Sequence, residues 1–167
     1  YQPRKLLGVD VRPQSAFDPA QARAVVAIGS PKTREKVVRE LPAETLFETL
    51  IHPAAVVSQW VSIGEGSVIC AGAVLTCQIT IGSHCQLNLN ITVGHDCTFG
   101  DFCTVAPGTN ISGNVNFGKR VEVGTQAAFR QHLSICDDAV IGMGTVVVKD
   151  IVEPGTYVGV PAKKVAS

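Results

Sequence analysis

Charge is what this sequence has least of. Only 17% of its 167 residues are Asp, Glu, Lys or Arg, and the 14 basic residues cancel the 14 acidic ones; an ordinary domain carries roughly 25%. A neutral chain has no basic field for a phosphate backbone, so nucleic acid is not an expected partner. Aromatic residues are sparse too, with one Trp, two Tyr and six Phe. No apolar run approaches the ~20 residues that span a bilayer, and the stretch from Tyr1 to Leu7 lacks the order of a signal peptide. A cytoplasmic protein with no membrane partner is the expectation. The first residue is Tyr1 and not Met, which reads as a partial or trimmed chain. The six cysteines, at 70, 77, 85, 97, 103 and 136, form no CxxC pair. Reduced thiols acting as small buried hydrophobes are therefore expected, with no disulfide framework.

What the chain does have is a period of six. From Val57 to Val147, sixteen consecutive positions at that spacing carry Val, Ile, Leu or Phe without a miss. Two residues before each lies a second series, from Ala55 through Ile91 and Cys97 to Thr145, that is never charged and mostly small. Gly often follows the large residue, as at Gly64, Gly82, Gly94 and Gly100. Six is no helical period. It fits a short strand with two inward side chains and then a tight corner, where Gly is expected to relieve backbone strain. Three such sides close a triangular coil of 18 residues, so 52–148 reads as a hexapeptide-repeat parallel β-helix of about five coils, ~25 Å tall.

The first segment, 1–51, reads differently. Lys5–Val11 and Ala24–Ile28 suggest buried parallel strands. The stretch from Ser30 to Leu41 suggests an amphipathic helix with Ser30 as N-cap, Pro31 in the first turn and Val37, Val38 and Leu41 buried. This is part of an α/β, Rossmann-like nucleotide-binding subdomain. The last segment, 149–167, reads as loop and tail around Pro154-Gly155 and Gly159-Val160-Pro161-Ala162-Lys163.

A neutral solenoid of Val and Ile does no chemistry, so residues that break the pattern carry the functional signal. His52 precedes Pro53 at a junction, His84 sits at a corner after Gly82-Ser83, and His132 lies beside Arg130 and Gln131. His95 stands apart in Val93-Gly94-His95-Asp96-Cys97, where a corner projects an imidazole next to a carboxylate. The 18-residue coil stacks it over Cys77 and under Gly113. A histidine with an ordinary pKa near 6.5 is suited to general-base work at neutral pH.

The uninterrupted repeat, the Val93–Cys97 segment and the ending Val158-Gly159-Val160-Pro161-Ala162-Lys163 together resemble bacterial hexapeptide-repeat sugar acyltransferases. The likeness is strongest to the sialic acid O-acetyltransferase group, which includes enzymes acetylating UDP- or GDP-linked 4-amino sugars. That resemblance implies a left-handed coil, against the usual right-handed crossover. It also implies a homotrimer with sites between neighbouring prisms, acetyl-CoA as co-substrate, no metal, and a role in glycan biosynthesis. It casts His95 as general base and Asp96 as its acidic neighbour. Thr104, Gly113, Thr125 and Met143 match cofactor-facing positions, and Asp10, Gly29 and Lys32 match the nucleotide-sugar side. Thr104 departs from the pattern, since some relatives carry a second His there; so does the lack of a Gly-rich phosphate turn.

N-acetylation of a nucleotide-linked amino sugar is thus the leading expectation. O-acetylation of sialic acid or a related sugar, and a degenerate non-catalytic trimer, are the alternatives. A zinc hydratase built on the same kind of coil needs three histidines on the metal; His84, His95 and His132 lack a recurring spacing for it.

Overall fold

The computed structural model describes residues 4–165. It is a parallel β-solenoid of the left-handed β-helix type. Its three faces are made of short strands stacked in strict register, Thr92 on Asn110 and Val93 on Ile111, for example. The first face contains the strands at 56–57, 74–75, 92–93, 110–111, 128–129 and 146–147. The second contains 61–63, 79–81, 98–99, 116–117 and 134–135. The third contains 50–51, 68–69, 86–87, 104–105, 122–123, 139–141 and 155–158. Coils are thus 18 residues, as the period requires. The solenoid is taller than the repeat alone suggested, because Leu50–Ile51 and Gly155–Val158 each extend the third face. The last coil is two residues short, with Ala139 opposite Gly155. Residues 149–165, expected as loop and tail, therefore contain strand Gly155–Val158, closed off by an antiparallel Lys163–Lys164. No helix among the described residues is long and apolar enough to cross a membrane.

Both repeat series point inward. Leu87, Ile91, Val93, Cys97 and Val105 are fully buried, and Phe99 stacks on Phe117 with ring centres 4.7 Å apart. Cys85, Cys97 and Cys103 belong to this core, and all six cysteines are free thiols. The corners differ from expectation. Every sixth residue from Gly66 to Gly144 has positive φ, and most are not glycine: Gln78, His84, Asn90, Asp96 and Phe102 among them. The glycines that follow the large apolar residues are not left-handed. Gly100 is small for another reason: a Cβ there would lie 2.7 Å from the backbone of Gly118 in the next coil. Close approach between coils, and not backbone strain, selects these glycines.

The first segment departs more. Leu7 and Gly8, both at positive φ, fold Lys5–Val11 into an exposed antiparallel hairpin of β1 (Arg4–Leu6) and β2 (Val9–Val11). The stretch 24–28 contributes one isolated parallel bridge, Ala24 to Phe47. No buried parallel sheet forms among the described residues of 1–51, so the Rossmann-like expectation is not met. Residues 1–3 and 166–167 of the outer segments lie outside the described residues. Helix α1 (Pro31–Glu40) forms as expected, and the Ser30 hydroxyl accepts from the Thr33 amide. Its buried face is not Val37, Val38 and Leu41, which are half-buried, but Pro31 and Arg34.

Arg34 has no exposed surface, and α1 docks through it on the corner between the second and third faces. Its guanidinium donates to the carbonyls of Ile28 and Gly29 on one side and of His84, Phe102 and Cys103 on the other. Beside it Glu35 and Asp138 flank Arg120, which holds the Asp138 carboxyl below its usual pKa by hydrogen bonding. His84 is sandwiched between Phe47 of the first segment and Phe102 of the next coil, and its Nδ1 is buried without a partner.

The two kinds of corner residue separate by substitution. Gly100→Ala forces backbone against backbone and lowers stability by about 1–3 kcal/mol. Gln78→Gly relieves a left-handed side chain at the entropic cost of glycine, leaving a net change within about 0.5 kcal/mol. Thermal unfolding of the pair checks both. Burial pushes the His84 pKa down from its ordinary 6.5. Above pH 6.5 the ring is neutral folded or unfolded; below it the unfolded chain takes the proton more readily. Stability therefore falls between pH 7 and 5, by at most about 2 kcal/mol. His84→Asn, less stable at pH 7, removes that slope in chemical denaturation.

Candidate active site

The corner between the first and second faces gathers the chemistry. Gly94 opens it, because a Cβ there would meet the Gly113 amide nitrogen at 2.6 Å. His95 then projects outward, with 59% of its side chain exposed. Asp96 occupies the left-handed position, φ 59°. That conformation swings its carboxylate back, so that Oδ2 lies 2.7 Å from His95 Nδ1. An ionised carboxylate only accepts, so Nδ1 carries the hydrogen and Nε2 presents a lone pair. Gly113, one coil on, shapes this ring: a Cβ at 113 would lie 2.7 Å from Nε2. The missing side chain makes room for the imidazole itself, whose Nε2 edge lies against the next coil.

The other residues singled out by sequence fall elsewhere. Thr104 is buried on the third face, where its hydroxyl donates to the Gly29 carbonyl at 2.7 Å and accepts from Arg34. The first segment covers it, and it does not reach the His95 corner. Gly29 and Lys32 share the turn entering α1, and Lys32 Nζ lies 3.6 Å from Asp138. Asp10 is exposed in the hairpin and pairs with Lys5. Thr125 and Met143 stack one coil apart at the third–first corner, joined by the Gly144 amide and Thr125 carbonyl, with Met143 79% exposed. Within one chain the first face separates them from His95. His132 stacks two coils above Asp96, while His84 is buried at a different corner, so the histidines do not converge. Among the described residues no three His, Cys, Asp or Glu groups are placed to hold a metal.

Two features escaped the sequence. Arg34 looks like a solvated helical residue, and only the dock explains its burial. On the His95 corner, 54 residues or three coils on, Lys149 lines a cavity of about 220 Å³ together with Asp150, Ile151, Tyr157, Pro161 and, from the closing strand, Lys163. At ~4.8 Å per coil it lies ~14 Å along the prism from His95. The core thiols are held protonated: burial raises Cys97, and a hydrogen bond with Cys85 holds Cys103 well above the usual thiol range.

Residues 60–77 match the family model described as hexapeptide repeat of succinyl-transferase. GDP-perosamine N-acetyltransferase of Escherichia coli O157:H7 is 32% identical over 107 residues, covering 64% of this chain and 48% of that enzyme. The chain spans between about a quarter and a half of the length of the first curated relatives it matches. The acetyltransferase domain of PglB from Neisseria gonorrhoeae FA1090, solved with acetyl coenzyme A, superposes with a TM-score of 0.86 at 34% identity. That match covers 90% of this chain and 74% of the other. PerB from Caulobacter crescentus, solved with CoA and GDP-perosamine, gives a TM-score of 0.84 at 34% identity, covering 87% and 70%.

The seat of the imidazole is open to test. Gly113→Ala displaces the His95 ring and breaks its bond to Asp96. The signature is loss of the downfield Nδ1–H resonance, with a far-ultraviolet spectrum unchanged from wild type.

Proposed function

The chain belongs to the hexapeptide-repeat sugar acyltransferases, and on that footing we propose that it transfers an acetyl group from acetyl-CoA to an amino group of a nucleotide-linked sugar. The observation that carries this reading is the exposed His95 imidazole, fixed through Nδ1 by Asp96 with Nε2 free. As the sugar amine attacks the thioester carbonyl, the new C–N bond forms and Nε2 takes the amine proton. Asp96 stabilises the imidazolium. The Gly113 amide is assigned to the oxyanion. Collapse breaks the C–S bond, CoA departs as thiolate, and the imidazolium returns its proton to that sulfur. No covalent enzyme intermediate and no metal is needed.

The surroundings suit these substrates. Lys149 on the corner that carries His95, and Lys163 across the cavity from it, outnumber Asp150 and offer positive charge for the anionic phosphates of CoA, and an extended pantetheine arm crosses the ~14 Å between. On the acceptor side the proposed contacts are the turn of Gly29 and Lys32, with Asp10 nearer the nucleoside. Thr125 and Met143 lie at another corner, so they meet the cofactor only if a neighbouring copy brings that corner to His95. A homotrimer does this. The cytoplasm supplies both substrates, and glycan assembly is the process served. The GDP-perosamine relatives favour nitrogen over oxygen as acceptor.

Titration of the purified protein with acetyl-CoA, followed by assay against UDP- and GDP-linked 4-amino sugars, tests the reading. Micromolar binding and turnover are expected. His95→Ala keeps the binding and lowers kcat about 10²- to 10⁴-fold. Near-normal turnover in that variant would sink the mechanism. Acetylation of sialic acid in place of amino sugars would favour the hydroxyl acceptor, and no binding at all a degenerate trimer.

A further inference from the structure

A buried arginine without a buried carboxylate is unusual, because its charge must be balanced chiefly by dipoles. Arg34 meets that demand with backbone carbonyls from two parts of the chain. One side of the guanidinium holds Ile28 and Gly29, the residues that enter the Gly29–Lys32 turn. The other holds His84 at 2.8 Å, Phe102 at 2.7 Å and Cys103 at 3.1 Å. Thr104 closes the ring, bonded both to Arg34 and to the Gly29 carbonyl.

The coils so gripped are significant. His84 begins the coil that carries His95 and Asp96, and Phe102 begins the one that carries Gly113. The clamp thus joins the turn to the very two coils that build the His95 site, from the neighbouring corner of the prism across the second face. A planar fork with five donors satisfies several carbonyls at once, which a lysine ammonium does not.

We propose that Arg34 is a positioning residue for the acceptor, setting the height of the Gly29–Lys32 turn along the prism so that a sugar nucleotide held there presents its amine at the level of His95. This rests on the acetyl-transfer reading above, and it assigns Arg34 no contact with substrate. The rest of the α1 dock does something different: the Glu35–Arg120 pair, 3.5 Å apart, holds the helix body and reaches the turn only through Asp138 and the exposed Lys32 ammonium 3.6 Å from it. The clamp therefore separates from general docking by comparing Arg34→Lys with Glu35→Gln.

Steady-state kinetics with a nucleotide-linked 4-amino sugar read the difference. Arg34→Lys raises the acceptor KM at least tenfold, while kcat at saturating acceptor and the acetyl-CoA Kd stay within twofold of wild type. Glu35→Gln changes the acceptor KM less than twofold. Equal effects from both variants would overturn the proposal, because Arg34 would then only dock the helix. An unchanged KM, or a parallel fall in kcat and acetyl-CoA affinity, would overturn it as well. Hydrogen exchange reads the clamp without turnover: in Arg34→Lys the two amides bonded to Ser30, at positions 33 and 34, exchange at least tenfold faster while those of 86–93 keep their protection. A wild-type protein inactive on every nucleotide-linked amino sugar would remove the acceptor reading, and with it this role for Arg34. Retained protection at positions 33 and 34 in the variant, with activity present in the wild type, would overturn the clamp alone.

Discussion

Coil-to-coil hydrogen bonding at a fixed interval of 18 residues governs the rest of this molecule. Each coil donates and accepts along its whole perimeter, as Gly94 does to the Ile111 carbonyl and Asn114 to that of His95. A shift of one residue would turn every inward side chain outward, so the register is held by the whole core. The same spacing fixes which residues can meet. Side chains 18 apart touch, those six apart lie on different sides, and a site must be built up a column or across a corner.

That constraint explains how legible the fold was. The core positions, the coil length and the burial of Cys85, Cys97 and Cys103 follow from periodicity alone, because stacking makes each position answer to the same steric demand many times over; Cys77, off both inward series, is exposed. The first segment has no such redundancy. Lys5–Val11 is apolar enough for a buried strand, yet two left-handed residues at Leu7 and Gly8 turn it back on itself. The corner glycines illustrate a subtler loss. Their placement beside the large apolar residues was visible, but whether a glycine serves φ or clearance depends on the neighbouring coil, and here clearance decides.

The site was legible in part for the same reason. The His95–Asp96 pair stands out because it is polar where the pattern demands nothing, and the 18-residue step correctly put Gly113 next to it. Thr104 was read from a matching position and proved to be covered, since a single face says nothing about what lies on it. Arg34 was invisible: a charged residue in a short helix ordinarily faces water, and only a ring of carbonyls at hydrogen-bond distance makes its burial tolerable.

The placement of the dyad on a corner has its own logic. Along a strand successive side chains point to opposite faces, so adjacent residues cannot converge. At a left-handed corner they do: the positive φ at Asp96 brings its carboxylate onto the Nδ1 of the residue just before it. The flanking strands bury Val93 and Cys97 completely, which anchors both ends of the five-residue segment while its middle stays exposed. The imidazole is then confined by its carboxylate on one edge and by the bare backbone of Gly113 on the other. Orientation of the ring is thereby fixed by the solenoid itself, so the role proposed for His95 draws on an imidazole whose ordering cost is met in folding.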